Sequence, residues 1–353
     1  MTFTLSAGFA FSLLFSWVII RTRHLHGKFS LDQEVGVQKL HTQPTPRVGG
    51  LSIFFALLIA TISWQPEDSS IKTQQFLPIL IASLPVFLIG LWNDLFKNVG
   101  VLWRLIVAAL STLLVILSGD LKLVTVDFFL IDFFLKNPAF SMAFTTLAIA
   151  GIVHAFNIVD GLNGLAIGLA VISLAMMAGI CYASGDIDLA GLILVLISTL
   201  LGILLFNFPL GRLFLGDSGA YLIGFLVGWI AVLVVLRNPQ VSPWAGLLCC
   251  ALPVVETLAS IYRRLRSGHP VGSPDLHHFH SLIKLNVVSR VKPGWPLHYR
   301  NSAAAVLVWL VAITGPLGGL IFYDNTFVLI LWFSGFCILY GVLYLFVRQP
   351  AKP

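Results

Sequence analysis

Four short stretches of an otherwise apolar chain group the side chains that can bind or move charge. They are NDLFK (93–97), NIVDGLNG (157–164), NFPLGRLFLGDSG (207–219) and SPDLHHFHSLI (273–283). Together they offer the carboxylates of Asp94, Asp160 and Asp217, the amides of Asn157, Asn163 and Asn207, and the imidazoles of His277, His278 and His280. Asp217 lies in Gly216-Asp217-Ser218-Gly219, a small-residue turn that opens a helix, and a helix start favours phosphate. A carboxylate at an anion site needs a cation to mediate, and Mg2+ commonly binds through one or two carboxylates plus substrate phosphates.

Each residue also has a plainer use. Asp94 and Lys97 have the spacing of a surface pair on a helix, and Asp160 and Asp217 are good helix N-caps. Capping does not account for Asn157 or Asn163. The histidines follow YRRLRSGH (262–269), and no cysteine or third ligand nearby completes a standard zinc motif, so imidazoles beside Arg263, Arg264 and Arg266 suit an anionic ligand better than a transition metal. For the arginines alone, attraction to anionic lipid headgroups serves equally well.

The elements that must position these groups are membrane spans. The chain is 58% hydrophobic and only 10% charged, with a mean hydropathy of +0.94, whereas soluble domains carry about 25% charged residues. A bilayer core takes roughly 20 apolar residues per helix. Continuous apolar runs, rather than alternating ones, exclude a β-barrel. Spans are expected near 4–20, 49–64, 76–92, 101–118, 140–156, 161–182, 187–206, 218–236, 244–262, 303–322 and 326–347. This predicts an all-α integral membrane protein, a polytopic bundle of about 11 transmembrane helices in one membrane-embedded domain over residues 1–353.

No Lys or Arg precedes Arg21, and RTRHLHGK follows the first apolar run, the reverse of a cleavable signal peptide. With the N-terminus outside and the C-terminus cytoplasmic, every Lys and Arg except Lys72, Lys122, Lys136 and Arg237 falls on the inner side, as the positive-inside bias requires. The four polar stretches then share one cytosolic rim. Cys181, Cys249, Cys250 and Cys337 all lie in apolar runs without paired spacing and are expected to pack, not to bridge. The segment KLVTVDFFLIDFFLKNP (122–138) suits an interfacial hairpin about as well as a helix.

In order and placement, HTQPTPRVGG (41–50), NDLFK, NIVDGLNGLA, FLGDSG (214–219) and HHFH resemble the motifs of the bacterial polyprenyl-phosphate sugar-1-phosphate transferases. This family initiates O-antigen, enterobacterial common antigen and teichoic acid synthesis and includes the phospho-MurNAc-pentapeptide translocase. The resemblance covers nearly the whole chain. It implies a cytosol-facing active site in the bacterial inner membrane, where undecaprenyl phosphate attacks the β-phosphorus of a UDP-N-acetyl sugar and UMP leaves. By the same resemblance Asp217 would hold Mg2+, or Mn2+, across the diphosphate, and Asp94 would act near the lipid phosphate by positioning rather than proton abstraction. Asn157, Asp160 and Asn207 would bind the nucleotide, with Phe214 stacking on uracil. His278 and His280 would contact the diphosphate or sugar, and Lys97 and Arg47 the phosphates. The implied partners are the two substrates and the bilayer, with no nucleic acid and with room for a homodimer.

Three positions depart from the family pattern. Asn93 replaces the first Asp of a usual pair, Asn163 stands where many members have Asp, and Ser281 follows the His-x-His in place of a frequent third His. An amide keeps an acceptor but loses a charge, so metal affinity should fall. Two other functions compete with transfer: a transporter, whose carboxylates should line a path near the midplane, and a relative that binds nucleotide sugar without turnover.

Overall fold

The computed structural model describes residues 1–32, 44–268, 270, 272 and 277–349. The parts of HTQPTPRVGG at 41–43 and of SPDLHHFHSLI at 273–276 therefore lie outside the described residues. In chain order the helices are α1 (Thr2–Arg21), α2 (Arg23–Ser30), α3 (Gly50–Ser63), α4 (Leu77–Phe96), α5 (Val101–Gly119), α6 (Phe129–Leu135), α7 (Pro138–Val159), α8 (Leu165–Ala183) and α9 (Ile187–Asn207). They continue with α10 (Gly216–Arg237), α11 (Pro243–Cys249), α12 (Ala251–Arg266), α13 (Phe279–Leu282), α14 (Ser289–Val291), α15 (Leu297–Ala312), α16 (Thr314–Ile321) and α17 (Thr326–Arg348). A two-residue antiparallel ladder pairs Leu31 with Pro46 and Asp32 with Thr45.

Among the described residues nine helices are long and apolar enough to cross a bilayer, and ten if α11 and α12, bent by 76° at Cys250, form one broken span. The expected eleventh, α3, has 14 residues, short of the roughly 20 a bilayer core requires. The all-α polytopic architecture therefore stands, and the number of complete crossings is nine or ten. Several boundaries also move: the third expected span runs over Ile71–Phe96, beginning with a π-helical turn, and the tenth over Leu297–Ile321.

The bundle is built around α10, which is buried along almost its whole length and packs against α3, α4, α7 and α8. Small residues permit this. A methyl on Gly224 would come within 2.8 Å of the Val153 backbone, and one on Gly90 of α4 within 2.6 Å of Ser218. Such close backbone approach is how helices associate in lipid, where apolar side chains gain nothing from leaving water. The outer helices show the complementary pattern: on α5, Leu102, Trp103, Leu110, Leu114 and Leu117 are exposed and face the lipid.

Cys181, Cys249 and Cys250 are buried free thiols and Cys337 is half-buried, as expected of packing residues. The 122–138 segment runs without regular structure to Phe128 and then forms the seven-residue helix α6. Its Asp132 carboxylate accepts from the Val126 N–H at 2.7 Å and the Thr125 hydroxyl at 3.0 Å, satisfying the charge locally.

Candidate active site

The site forms where α4 and α7 end and α5 and α10 begin. The Asp94 carboxylate, 1% exposed, lies across the start of α10. Its Oδ1 accepts the Asp217 N–H at 2.8 Å, and its Oδ2 accepts the Ser218 N–H at 2.9 Å and the Ser218 hydroxyl at 2.7 Å. A helix start leaves such donors unpaired and favours negative charge. Asp94 thus caps α10 from another helix, which excludes the exposed Asp94–Lys97 pair. Gly216 makes the approach possible: its φ is +75°, and a Cβ would meet the Arg47 carbonyl and the Asp94 carboxylate.

With its N–H capped by Asp94, Asp217 presents its carboxylate to donors from four other segments. Asn157 donates to Oδ1 at 3.0 Å, Asn93 donates to Oδ2, and the guanidiniums of Arg47 and Arg104 reach the two oxygens at 3.3 and 3.4 Å. Arg47 also lies 3.4 Å from Asp94. It is held there by three backbone bonds that fasten residues 46–50 to residues 214–215: Phe214 N–H to the Pro46 carbonyl, Gly49 N–H to Phe214 and Gly50 N–H to Leu215. Arg104 donates to the Tyr221 hydroxyl at 2.8 Å, and that hydroxyl reaches Asn157 Oδ1 at 3.3 Å. Neither Arg104 nor Tyr221 was among the expected site residues. Arg104 could have been found, because an arginine in the first turn of a lipid-facing helix needs an acidic partner; Tyr221 carried no such signal.

Asp160 does not cap α8. That helix starts at Leu165 after Gly164, and Asp160 instead ends α7, half-buried. Burial pushes its carboxyl up to about 7; Arg47 opposes the shift, and the Asp217 and Asp94 carboxylates add to it. The adjacent Gly161 abuts the His280 ring so closely that a methyl there would overlap Nε2. His280 in turn stacks on His278, the rings 5.5 Å apart and nearly parallel. The His-x-His turn is thereby brought to the Asp160 end of the cluster.

His278 is oriented by a group the sequence reading missed. Glu256 of α12, 2% exposed, accepts from His278 Nδ1 at 2.9 Å, from the Phe279 N–H at 3.2 Å, from the Tyr340 hydroxyl at 2.6 Å and from Arg263 at 3.2 Å. Its signal was present, since a lone carboxylate in the apolar run ALPVVETLAS must find partners. The same bond places Arg263 inside the bundle, stacked 5.1 Å from the Tyr344 ring centre.

The remaining expected residues divide. Asn207 is a brace: its Oδ1 accepts the Gly164 N–H and its Nδ2 donates to the Leu213 carbonyl at 2.7 Å. Asn163 donates to the Pro209 carbonyl at 3.1 Å, a bond an ionised Asp could not make. Phe214 and Asn163 line a cavity of about 850 Å³ with Trp17, Arg21, Arg212 and His298. Lys97 is exposed and ends α4 with a left-handed backbone, φ +54°, outside the ring of donors around Asp217.

Among the described residues no group of three or more His, Cys, Asp or Glu side chains could hold a metal on its own. The set still fits Mg2+ that arrives with a diphosphate, because that ion needs only one or two carboxylates and takes the rest from phosphate and water. Asn93 bears on this fit. A second carboxylate at that position would face Asp217 directly, whereas the amide supplies a donor and neutralises nothing.

The profile described as glycosyl transferase family 4 matches residues 76–235, which include Asp94, Arg104, Asn157, Asp160 and Asp217. The undecaprenyl-phosphate alpha-N-acetylglucosaminyl 1-phosphate transferase of Salmonella typhimurium (strain LT2) is 30% identical over 280 residues, 78% of this chain and 74% of the relative. The protein of the same name from Yersinia pestis is 29% identical over 338 residues, 94% and 88%. A probable undecaprenyl-phosphate N-acetylglucosaminyl 1-phosphate transferase of Bacillus subtilis (strain 168) is 26% identical over 313 residues, 87% and 80%.

Proposed function

The chain belongs to glycosyl transferase family 4, and from that premise we propose that it transfers an N-acetylhexosamine 1-phosphate from a UDP-sugar to undecaprenyl phosphate. A phosphate oxygen of the lipid forms a bond to the β-phosphorus, the bond from that phosphorus to the bridging oxygen breaks, and UMP leaves with the electron pair. The product is a lipid diphosphate sugar, the first intermediate of a cell-envelope polysaccharide. The observation that carries the proposal is the convergence of Arg47, Asn93, Arg104 and Asn157, from four separate segments, on the Asp217 carboxylate.

Phosphoryl transfer asks a protein mainly to position the groups and neutralise charge, and these residues are suited to both. Asp94, committed to the α10 start, is a positioning residue. Asp217, with Asp160 beside it, would hold Mg2+, which when bound neutralises diphosphate charge. Arg47 and Arg104 supply guanidiniums for phosphate oxygens, and His278, oriented through Glu256, and His280 are placed for the diphosphate or the sugar. The cavity beside Phe214 offers an aromatic wall for uracil. Asn207 serves the nucleotide indirectly, by bracing the turns that carry Asn163 and Leu213. The same reading puts the protein in the bacterial inner membrane with its N-terminus outside and this cluster on the cytosolic side, and it requires no second copy.

Release of UMP from UDP-N-acetylglucosamine by the purified protein, with undecaprenyl phosphate and Mg2+ in detergent, tests the proposal. Release should require all three and fall by roughly a hundredfold or more in Asp217→Asn; release independent of the lipid or of Asp217 would refute it. Transport is disfavoured because Asp94, Asp160 and Asp217 sit where helices end, and Glu256, the carboxylate on the broken α11–α12 pair, is committed to His278, Phe279, Tyr340 and Arg263. For a binder without turnover, activity would appear only on Asn93→Asp.

A further inference from the structure

Lys284 is an anomaly. It lies in a π-helical segment, Ile283–Val288, that continues α13, and it is only 2% exposed, with no hydrogen-bond partner for its Nζ. π-helical turns inside helices recur at functional sites. An ammonium taken out of water without a partner costs several kcal/mol, so a chain retains one only where something offsets that cost. The helices packed against this segment are α13, α14, α15 and α17. Their sequences contain no Asp or Glu. The charges they bring are all basic or neutral: His280 on α13, Arg290 on α14, His298 and Arg300 on α15, and Arg348 on α17.

Arg300 deepens the anomaly. Its Nε is also buried without a partner, and its charge acts on Lys284. Burial first, and Arg300 second, push the Lys284 ammonium down to about 7. A buried ammonium and a half-buried guanidinium that repel each other make a place for an anion. Its location says which one. Lys284 follows His280 by four residues on one helical run, and His280 touches the turn of Asp160 and Gly161. Arg300 stands between His298 and Asn301, both of which line the cavity that holds Phe214 and Asn163.

We propose that Lys284 and Arg300 form a buried anion subsite, between the His-x-His turn and the aromatic cavity, that takes a phosphate of the nucleotide substrate and of the UMP product. The subsite rests on the transferase proposal for its occupant, but not for its existence. It also explains why the cationic pair persists without a protein acid: the ligand is the acid.

The test is binding to the full-length protein in detergent with EDTA present, using UMP, uridine and inorganic phosphate as probes. UMP should raise the melting temperature of the native chain and bind more tightly than uridine. Lys284→Met should weaken UMP binding by roughly tenfold or more, the range of a lost charge-assisted hydrogen bond, and leave uridine binding unchanged. Because the ammonium is unpaired without ligand, the ligand-free Lys284→Met protein should melt at or above the native temperature, and Lys284→Arg should keep the UMP effect. A Lys284→Met protein that binds UMP like the native chain would overturn the proposal. So would one that melts lower or fails to fold, since Nζ would then be serving the fold. Stabilisation by inorganic phosphate as strong as by UMP, lost in Lys284→Met, would keep the subsite and overturn the nucleotide as its occupant. Lys284-dependent UMP binding without turnover would sink the transferase proposal and leave this one standing.

Discussion

The two carboxylates that bond to one another's surroundings at the start of α10 have different duties, and substitution should separate them. Asp217 offers its oxygens to side chains only, so Asp217→Asn should cost roughly a hundred- to a thousandfold or more in turnover with little change in melting temperature. Asp94 satisfies two backbone N–H groups and a hydroxyl. Asn in its place has a single acceptor oxygen, so Asp94→Asn should destabilise the fold by about 1–3 kcal/mol, read as a lower melting temperature without any substrate. Asp160 adds a pH signature. Its carboxyl is raised to about 7 in the folded chain from 3.8, so the folded state holds a proton that the unfolded chain has lost. The resulting stabilisation is complete below about pH 4 and disappears as pH rises through 7. Asp160→Asn should therefore raise the melting temperature relative to the native chain at pH 8, and not at pH 4. Where the ionised carboxylate serves catalysis, the same variant removes the acid limb of the rate profile.

Among the elements, the short connections matter more than the spans. Residues 46–50 are stitched to residues 214–215 by backbone bonds, which is what carries Arg47 to Asp217, and Glu256 of α12 gathers α13 and α17 around the His-x-His turn. Glu256→Gln keeps the shape but weakens the charge-assisted bond to His278. Turnover should fall roughly tenfold or more, with the protein still folded, whereas Glu256→Ala, which strips a buried network of its acceptor, should also lower the melting temperature. The apolar periods and the gathering of polar groups at span ends were legible in the sequence because a bilayer demands long uninterrupted runs and taxes every charge within them. The fine placement was not. Asp160 and Asp217 both read as N-caps from local sequence, and the capping group proved to be Asp94, from 123 residues away, which no local pattern encodes. Asn207 matched a motif and turned out to be a brace for the same reason: its partners, Gly164 and Leu213, are set by the fold. The bend at Cys250 and the end of α3, by contrast, have local signals in Pro253 and Pro66.

For the whole molecule the charge pattern sets the orientation the proposal expects. Lys97, at the end of α4, and Lys136, beside α6, lie at opposite ends of the bundle on the expected topology. In intact cells Lys136→Cys should react with a membrane-impermeant thiol reagent, and Lys97→Cys only after permeabilisation. The native cysteines are buried or half-buried and give little background. The reverse labelling would place the Asp217 cluster outside, away from any cytosolic nucleotide. On the proposed function the Asp217 cluster moves a sugar together with its phosphate, and the most direct measurement follows that phosphorus atom. With UDP-N-acetylglucosamine labelled at the β-phosphorus, the label should enter the organic-soluble lipid one-for-one with UMP released to water. Label recovered as UDP, with the sugar alone on the lipid, would contradict it.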